Sequence, residues 1–257
     1  MKIIAIPSKA GSMKNNSPDM GVDEIIKNLS HFFVSESGFK KKFDIERVNV
    51  QNNNLSETNK NIYEKIKKTN GFFAALGGDH SVTYSILKAL GKNERITLVL
   101  FDAHPDCENN FSPPTYEDFA RVALEEGIVE NIIMLGIRNW SENEYNFIKS
   151  RKINVFSSKE IHSRGIRNTI HDLMGLIKSK NFYLSIDIDV VDPAFAPGTG
   201  WTEPGGISSR EIIYCIQKLS KLSGFRAMDI VEVDPKRDIN SMTSKLASKI
   251  LWEAGNG

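Results

Sequence analysis

Three short runs of this chain concentrate side chains that can bind a divalent cation: Gly77-Gly78-Asp79-His80-Ser81, Asp102-Ala103-His104-Pro105-Asp106 and Asp187-Ile188-Asp189. Together His80, Asp102, His104, Asp106, Asp187 and Asp189 offer four carboxylates and two imidazoles. The runs lie at the ends of apolar stretches, where an ionised carboxylate leaves water only if something cationic compensates its desolvation. Four carboxylates are too much charge for one ion. They suit two hard-to-borderline dications such as Mn²⁺, with carboxylates between them. Such a pair activates water at neutral pH. The bland reading makes the same residues loop acids and a capping histidine.

The elements that must position these runs alternate in type. Short β-rich stretches at 2–6, 44–50, 71–76, 96–101, 132–136, 182–186 and 225–231, with a further short strand at 154–156, are separated by amphipathic segments. Helices are expected over 23–35, 56–69, 81–90, 116–126, 142–151, 166–178, 208–222 and 241–253. This is the pattern of an α/β fold, a mostly parallel sheet with helices on both faces. Ile96-Thr97-Leu98-Val99-Leu100-Phe101 is apolar on both faces, as a doubly covered strand requires. Ser208 and Ser209 followed by Glu211 mark an N-cap. Ile212, Ile213, Ile216 and Leu219 then supply a buried stripe. No linker or repeat divides the chain, so residues 1–257 are read as one domain.

Sites in open parallel sheets form beyond the carboxyl ends of strands. Asp102 follows Phe101 and Asp187 follows Ile186, so both fall at such ends. Alternate residues of an extended segment share a face. Asp102, His104 and Asp106 therefore converge, as do Asp187 and Asp189, and Gly77-Gly78 lets the backbone turn toward His80.

Bulk properties narrow the class. The chain has 257 residues, 25% of them charged, and a net charge of +1, which gives no electrostatic reason to expect nucleic acid or a membrane surface as partner. Two cysteines, Cys107 and Cys215, make neither a disulfide framework nor a zinc pair. With no apolar run of transmembrane length and no secretory leader at the N-terminus, a cytoplasmic location is expected. His31, His162 and His171 lack carboxylates at ligand spacing and are set aside. Cys107, beside Asp106, is read as an inert small side chain.

The three runs resemble the metal motifs of the ureohydrolase family, which includes arginase, agmatinase, guanidinobutyrase and formimidoylglutamase. The third run continues as Ser185-Ile186-Asp187-Ile188-Asp189-Val190-Val191-Asp192-Pro193, and Ala194-Phe195-Ala196-Pro197-Gly198-Thr199-Gly200 looks closest to the agmatinase branch. Gly205-Gly206 and Ala227-Met228-Asp229-Ile230-Val231-Glu232-Val233-Asp234-Pro235 resemble later family motifs. The resemblance implies a three-layer arginase-like fold with a sheet of about eight strands, and a homotrimer or homohexamer. It implies two Mn²⁺ per chain, one on His80 and Asp106, the other on His104 and Asp189, with Asp102 and Asp187 bridging. Asp192 becomes a turn residue. It also implies that Glu232 holds a guanidino substrate through a bidentate ion pair, and that Asp106 moves a proton to the leaving amine as urea is formed. The substrate implied is agmatine, with arginine or another guanidino or formimino compound as alternatives.

Two positions depart from the family pattern. The agmatinase-like members carry a proton-shuttling histidine where this chain has Tyr116, and a phenol with a pKa near 10 is a poor shuttle at pH 7. Glu117, Asp118 or water would then carry the proton, or turnover is lost and a metal-binding homologue remains. Tyr116 is otherwise the first core residue of the next helix. After Gly200 the chain has Trp201-Thr202-Glu203-Pro204 in place of the usual Thr-Pro or Asn-Pro. Trp201 walls the entrance or covers the loop, and Glu203 is read as a solvated loop acid rather than as an attractor of a cationic tail. The loop after Asp106 is short and lacks the Asn/Ser-rich stretch with which arginases hold an α-carboxylate. A one-zinc deacetylase on a related sheet is the third reading.

Overall fold

The computed structural model describes residues 1–12, 16–92, 94–177 and 180–255. Eight strands form one sheet: β1 (Lys2–Ile6), β2 (Asp44–Arg47), β3 (Phe73–Gly77), β4 (Thr97–Phe101), β5 (Asn131–Leu135), β6 (Asn154–Phe156), β7 (Phe182–Asp187) and β8 (Phe225–Val231), in the order β2-β1-β3-β8-β7-β4-β5-β6. Every neighbouring pair is parallel, so the sheet goes beyond the mostly parallel expectation.

Nine α-helices lie among the described residues: α1 (Gly21–Asn28), α2 (Leu55–Lys67), α3 (Val82–Gly91), α4 (Phe119–Glu125), α5 (Glu142–Arg151), α6 (Ser158–Arg164), α7 (Ile166–Ile177), α8 (Ser209–Leu219) and α9 (Met242–Glu253). Strand residues alternate between two cores, giving three layers. Ile3, Val99, Phe101, Leu184 and Ile230 pack with α1 and α6–α9. Ile4, Leu98, Leu100, Tyr183 and Val231 pack with α2–α5. No helix among the described residues is long and apolar enough to cross a membrane.

Three helices depart from expectation. The helix expected over 23–35 is α1, which ends at Asn28 and passes into a 3₁₀ turn, Leu29–His31. Beyond it Phe33 is 80% exposed and gives the helix no core face to continue. The helix expected to start at Tyr116 starts at Phe119, because the Asp118 carboxylate accepts from Thr115 N, Thr115 Oγ1 and Phe111 N and holds 111–118 as a loop. Helix α6 lies outside the expected set. Only Ile161 is buried on it, so it has no apolar stripe to read, although the Ser157 side chain caps Glu160 N. The capping box at Ser208 and Glu211 is present as expected. The last residue of the helix expected over 166–178, Lys178, lies outside the described residues.

Lys41 is a half-buried cation without a carboxylate in ion-pair reach among the described residues. Its Nζ donates to the carbonyl oxygens of Ala254 and Leu251 at the end of α9. Burial lowers its pKa to about 8, against the pull of Glu253. Between that value and the 10.5 of the free side chain, the unfolded chain binds more protons than the folded one, so stability rises with pH across this window. Urea midpoints at about pH 8 and about pH 10 should therefore show a rise in the wild type that is smaller in Lys41→Met. Equal rises in both would sink this assignment.

Candidate metal centre

The site lies beyond the carboxyl ends of β3, β8, β7 and β4, the four central strands. Past the end of β3, a Cβ at Gly78 would lie 1.7 Å from Ser8 O, so only glycine permits this turn. Gly78 O accepts Glu232 N at 2.8 Å, which ties the ends of β3 and β8 together. Asp79 accepts from Gly11 N and from Ser81 N and Oγ and fixes the loop on which His80 sits.

The six candidate ligands come together. His80 Nδ1 lies 2.9 Å from Asp106 Oδ2, 3.3 Å from Asp102 Oδ2 and 3.5 Å from Asp187 Oδ2. His104 Nδ1 lies 3.1 Å from Asp189 Oδ2 and 3.6 Å from Asp102 Oδ1. Three carboxylates are oriented by backbone donors: Asp102 by His104 N at 2.6 Å, Asp187 by Asp189 N at 2.9 Å, Asp189 by Ala103 N at 3.0 Å. In each case Oδ1 takes the amide and Oδ2 faces an imidazole. Asp106 reaches its place with a left-handed backbone, φ 51°.

Electrostatics set the demand for cations. Burial, then Asp102, pushes the Asp106 carboxyl well above its ordinary range. Burial, then Asp189 and Asp102, does the same for Asp187. His104 is buried against its charge, yet Asp189 and Asp102 raise it to about 12. Asp102 is buried too, but His104 and His80 bring it down to about 2. His80 Nδ1, Asp102 Oδ2 and Glu232 Oε2 are buried without a hydrogen-bond partner, an arrangement costly to maintain unless something else occupies it. Two sets, His80 with Asp102 and Asp187, and Asp102 with His104 and Asp189, have donor atoms within 4.8 Å of one another. The oxygen and imidazole donors, their number and their orphaned atoms fit two dications.

A cavity of about 250 Å³ opens over this cluster. His104, Asp106, Asp187 and Glu232 form its floor, and Tyr116, Trp201, Trp140, Glu108, Glu117 and Glu144 its walls. Glu232, also left-handed at φ 62°, anchors Oε1 on His80 N at 2.9 Å and leaves Oε2 unpaired. Tyr116 thus lines the cavity rather than the core, stacking on Trp201 at 6.5 Å between ring centroids. Burial, then Glu117, pushes its phenol up to about 12. Asp118 is fully buried and committed to its loop, whereas Glu117 reaches the cavity. Asp192 is a turn residue, accepting from Ala194, Gly205 and Gly206 N.

Sequence reasoning missed two acids. Glu203 is no solvated loop acid: its Oε1 lies 3.5 Å from His104 Nε2 and accepts from Asn139 Nδ2. Glu144 is a buried acid in the cavity wall, accepting from Cys107 N and Ser141 N. The capping spacing from Ser141 to Glu144 was the signal available for the second. None existed for the first, whose loop is pinned from a distance by Arg138 on the carbonyls of Glu203 and Pro204. His31, His162 and His171 are exposed and away from the cluster, and burial raises the Cys107 thiol far above its ordinary value.

Residues 1–255 match the family model described as Arginase family. A formimidoylglutamase of Bacillus subtilis (strain 168) is 34% identical over 191 residues, 71% of this chain but only 60%, less than two thirds, of that protein. A guanidinopropionase of Pseudomonas aeruginosa is 28% identical over 269 residues, 98% of this chain and 84% of that protein. The crystal structure of formimidoylglutamase from Bacillus subtilis subsp. subtilis str. 168 superposes with a TM-score of 0.92 at 25% identity, over 98% of this chain and 84% of that one. With the match to the family extending over nearly every residue, the chain belongs to the arginase family.

Proposed function

We propose that this chain is a binuclear metal amidinohydrolase that cleaves a guanidino compound to urea and an amine, with agmatine yielding putrescine. The observation that carries this reading is the cavity itself, lined both by Glu232, one of whose buried carboxylate oxygens is unpaired, and by three of the candidate metal ligands, His104, Asp106 and Asp187. A guanidinium fits such a carboxylate through two parallel N–H donors. The chemistry of the bound metals is the supply of an activated water at neutral pH. His80 and Asp106 would serve one Mn²⁺ and His104 and Asp189 the other, with Asp102 and Asp187 between them. Asp106 opens on the cavity and is placed to pass a proton to the leaving amine. Tyr116, protonated up to about pH 12, donates and packs rather than shuttles. Glu117, on the same wall, is the acid through which protons reach solvent.

The walls favour a cationic tail. Glu108, Glu117 and Glu144 line the cavity, and no Lys or Arg does so among the described residues. The nearby Arg138 commits its guanidinium to five carbonyl oxygens, those of Gly136, Asp189, Val190, Glu203 and Pro204. A distal ammonium is stabilised by these acids and by the Trp201 and Tyr116 faces, whereas a distal carboxylate meets repulsion. By family resemblance the enzyme is a cytoplasmic homotrimer or homohexamer.

The test is urea release from agmatine by purified protein with and without Mn²⁺, run beside Tyr116→His. Mn²⁺-dependent urea is expected from the wild type. An imidazole titrating near neutrality should raise kcat in the variant, since a positioned general acid–base contributes about 10²–10⁴-fold. Urea from the variant alone would make the natural chain a silent metal-binding homologue. No urea from either, with metals bound, would rule out agmatine.

A further inference from the structure

On the side of His80 away from the cavity, a chain of hydroxyls ends on a buried acid. His80 Nε2 lies 2.8 Å from Ser185 Oγ, and Ser185 Oγ lies 2.6 Å from Asp229 Oδ1. Asp229 is fully buried in β8. Its Oδ2 accepts from Thr83 Oγ1 at 2.6 Å and Tyr183 OH at 2.7 Å, and its Oδ1 also from Ile186 N at 3.3 Å. No Lys or Arg among the described residues pairs with it.

The direction of each hydrogen follows. A serine hydroxyl has one hydrogen to give, and the short contact to a carboxylate takes it. The Ser185 oxygen then meets His80 only as an acceptor, so the ring nitrogen facing it must be Nε2–H. The lone pair of a neutral ring is left on Nδ1, the atom that faces Asp102, Asp106 and Asp187. We propose that Ser185, held as an acceptor by Asp229, is a positioning residue that fixes His80 in the tautomer able to ligate a metal through Nδ1. Among the described residues no hydroxyl stands between His104 Nε2 and an acid. That nitrogen lies 3.5 Å from Glu203 on a ring 22% exposed. The relay therefore serves one ion and not the other. This inference rests on His80 being a ligand, as proposed above.

Asp229→Asn separates direction from charge. Ile186 N is an obligate donor, so the amide oxygen of the substituted side chain takes the Oδ1 place and still accepts from Ser185. The amide NH₂ then faces Thr83 and Tyr183, whose hydroxyls turn to accept. Ser185→Ala removes the acceptor altogether.

The experiment is calorimetric titration of the metal-stripped full chain with Mn²⁺. It is joined by ¹⁵N NMR of histidine rings in the diamagnetic Zn²⁺-loaded protein and by urea midpoints. Ser185→Ala should weaken one of two binding events by about 10–100-fold, the usual cost of losing an outer-shell partner, and leave the other unchanged. It should also lose the exchange-protected Nε2–H signal of His80. Asp229→Asn should lose less metal affinity than Ser185→Ala while losing more stability; a merely structural role would order both losses alike. Two wild-type binding events left unaltered, or equally weakened, in Ser185→Ala would overturn the relay alone. A wild type that binds no dication would instead overturn the ligand reading beneath it.

Discussion

If the proposed pair of ions is bound, Asp102→Asn should strip both. Asp102 reaches both imidazoles, with Oδ2 3.3 Å from His80 Nδ1 and Oδ1 3.6 Å from His104 Nδ1. It is shared by both metal-competent sets. Asparagine preserves the shape and can still accept from His104 N, but it brings no charge and cannot serve two dications. Removing one partner of a buried charge pair costs about 3–5 kcal/mol, which at about 1.4 kcal/mol per decade is roughly 10²–10⁴-fold in affinity. Metal content after dialysis, read by elemental analysis, should fall at both sites together, and urea production with it. Loss of one equivalent only would assign Asp102 to a single ion and sink the bridging role.

Glu232→Gln should separate substrate binding from metal binding. The amide oxygen can keep the contact to His80 N that Oε1 now makes, and the left-handed backbone at this residue costs glutamine no more than glutamate. What disappears is the charge proposed to meet the guanidinium. A buried, hydrogen-bonded charge pair cut on one side costs about 2–5 kcal/mol, so kcat/KM should fall by roughly 30–4,000-fold at unchanged metal content. Stability should move the other way in the metal-free protein. Burial, then Asp79, holds the Glu232 carboxyl well above its ordinary range. The folded chain therefore binds the proton more tightly, and stability is lost as pH rises from the unfolded pKa toward the raised one. At about pH 8 Glu232→Gln should have the higher melting temperature when metal-free. A variant both inactive and less stable would make Glu232 a structural acid.

Strands β1 and β4 were legible because burial on both faces leaves a nearly continuous apolar run. The metal cluster was legible because its ligands gather at strand ends, but the extended alternation expected to bring them together is replaced by a 3₁₀ turn at Ile188–Val190 and a left-handed backbone at Asp106. Tyr116 was not legible. Its place was decided by Asp118, whose carboxylate gathers three donors from the preceding loop and withholds residues 116–118 from α4. Glu203 was hidden for a similar reason, since Arg138 and Asp192 fold its loop onto His104 from distant parts of the chain. Side chains that hold loops through hydrogen bonds of irregular spacing leave no periodic trace.

The strand order carries a consequence for how such a protein comes to exist. β8 is last to be synthesised, yet it stands between β3 and β7. Without β8 the pairings open to the earlier strands divide into two separate ribbons, β2-β1-β3 and β7-β4-β5-β6. Each ends on a bare apolar edge of the kind that pairs with other chains. Closure is a keystone event: one seven-residue strand seals both edges and in the same motion carries Glu232 to His80. A half-made chain therefore has neither a sealed sheet nor a working pocket, and the enzyme acquires its chemistry at the moment it ceases to be sticky.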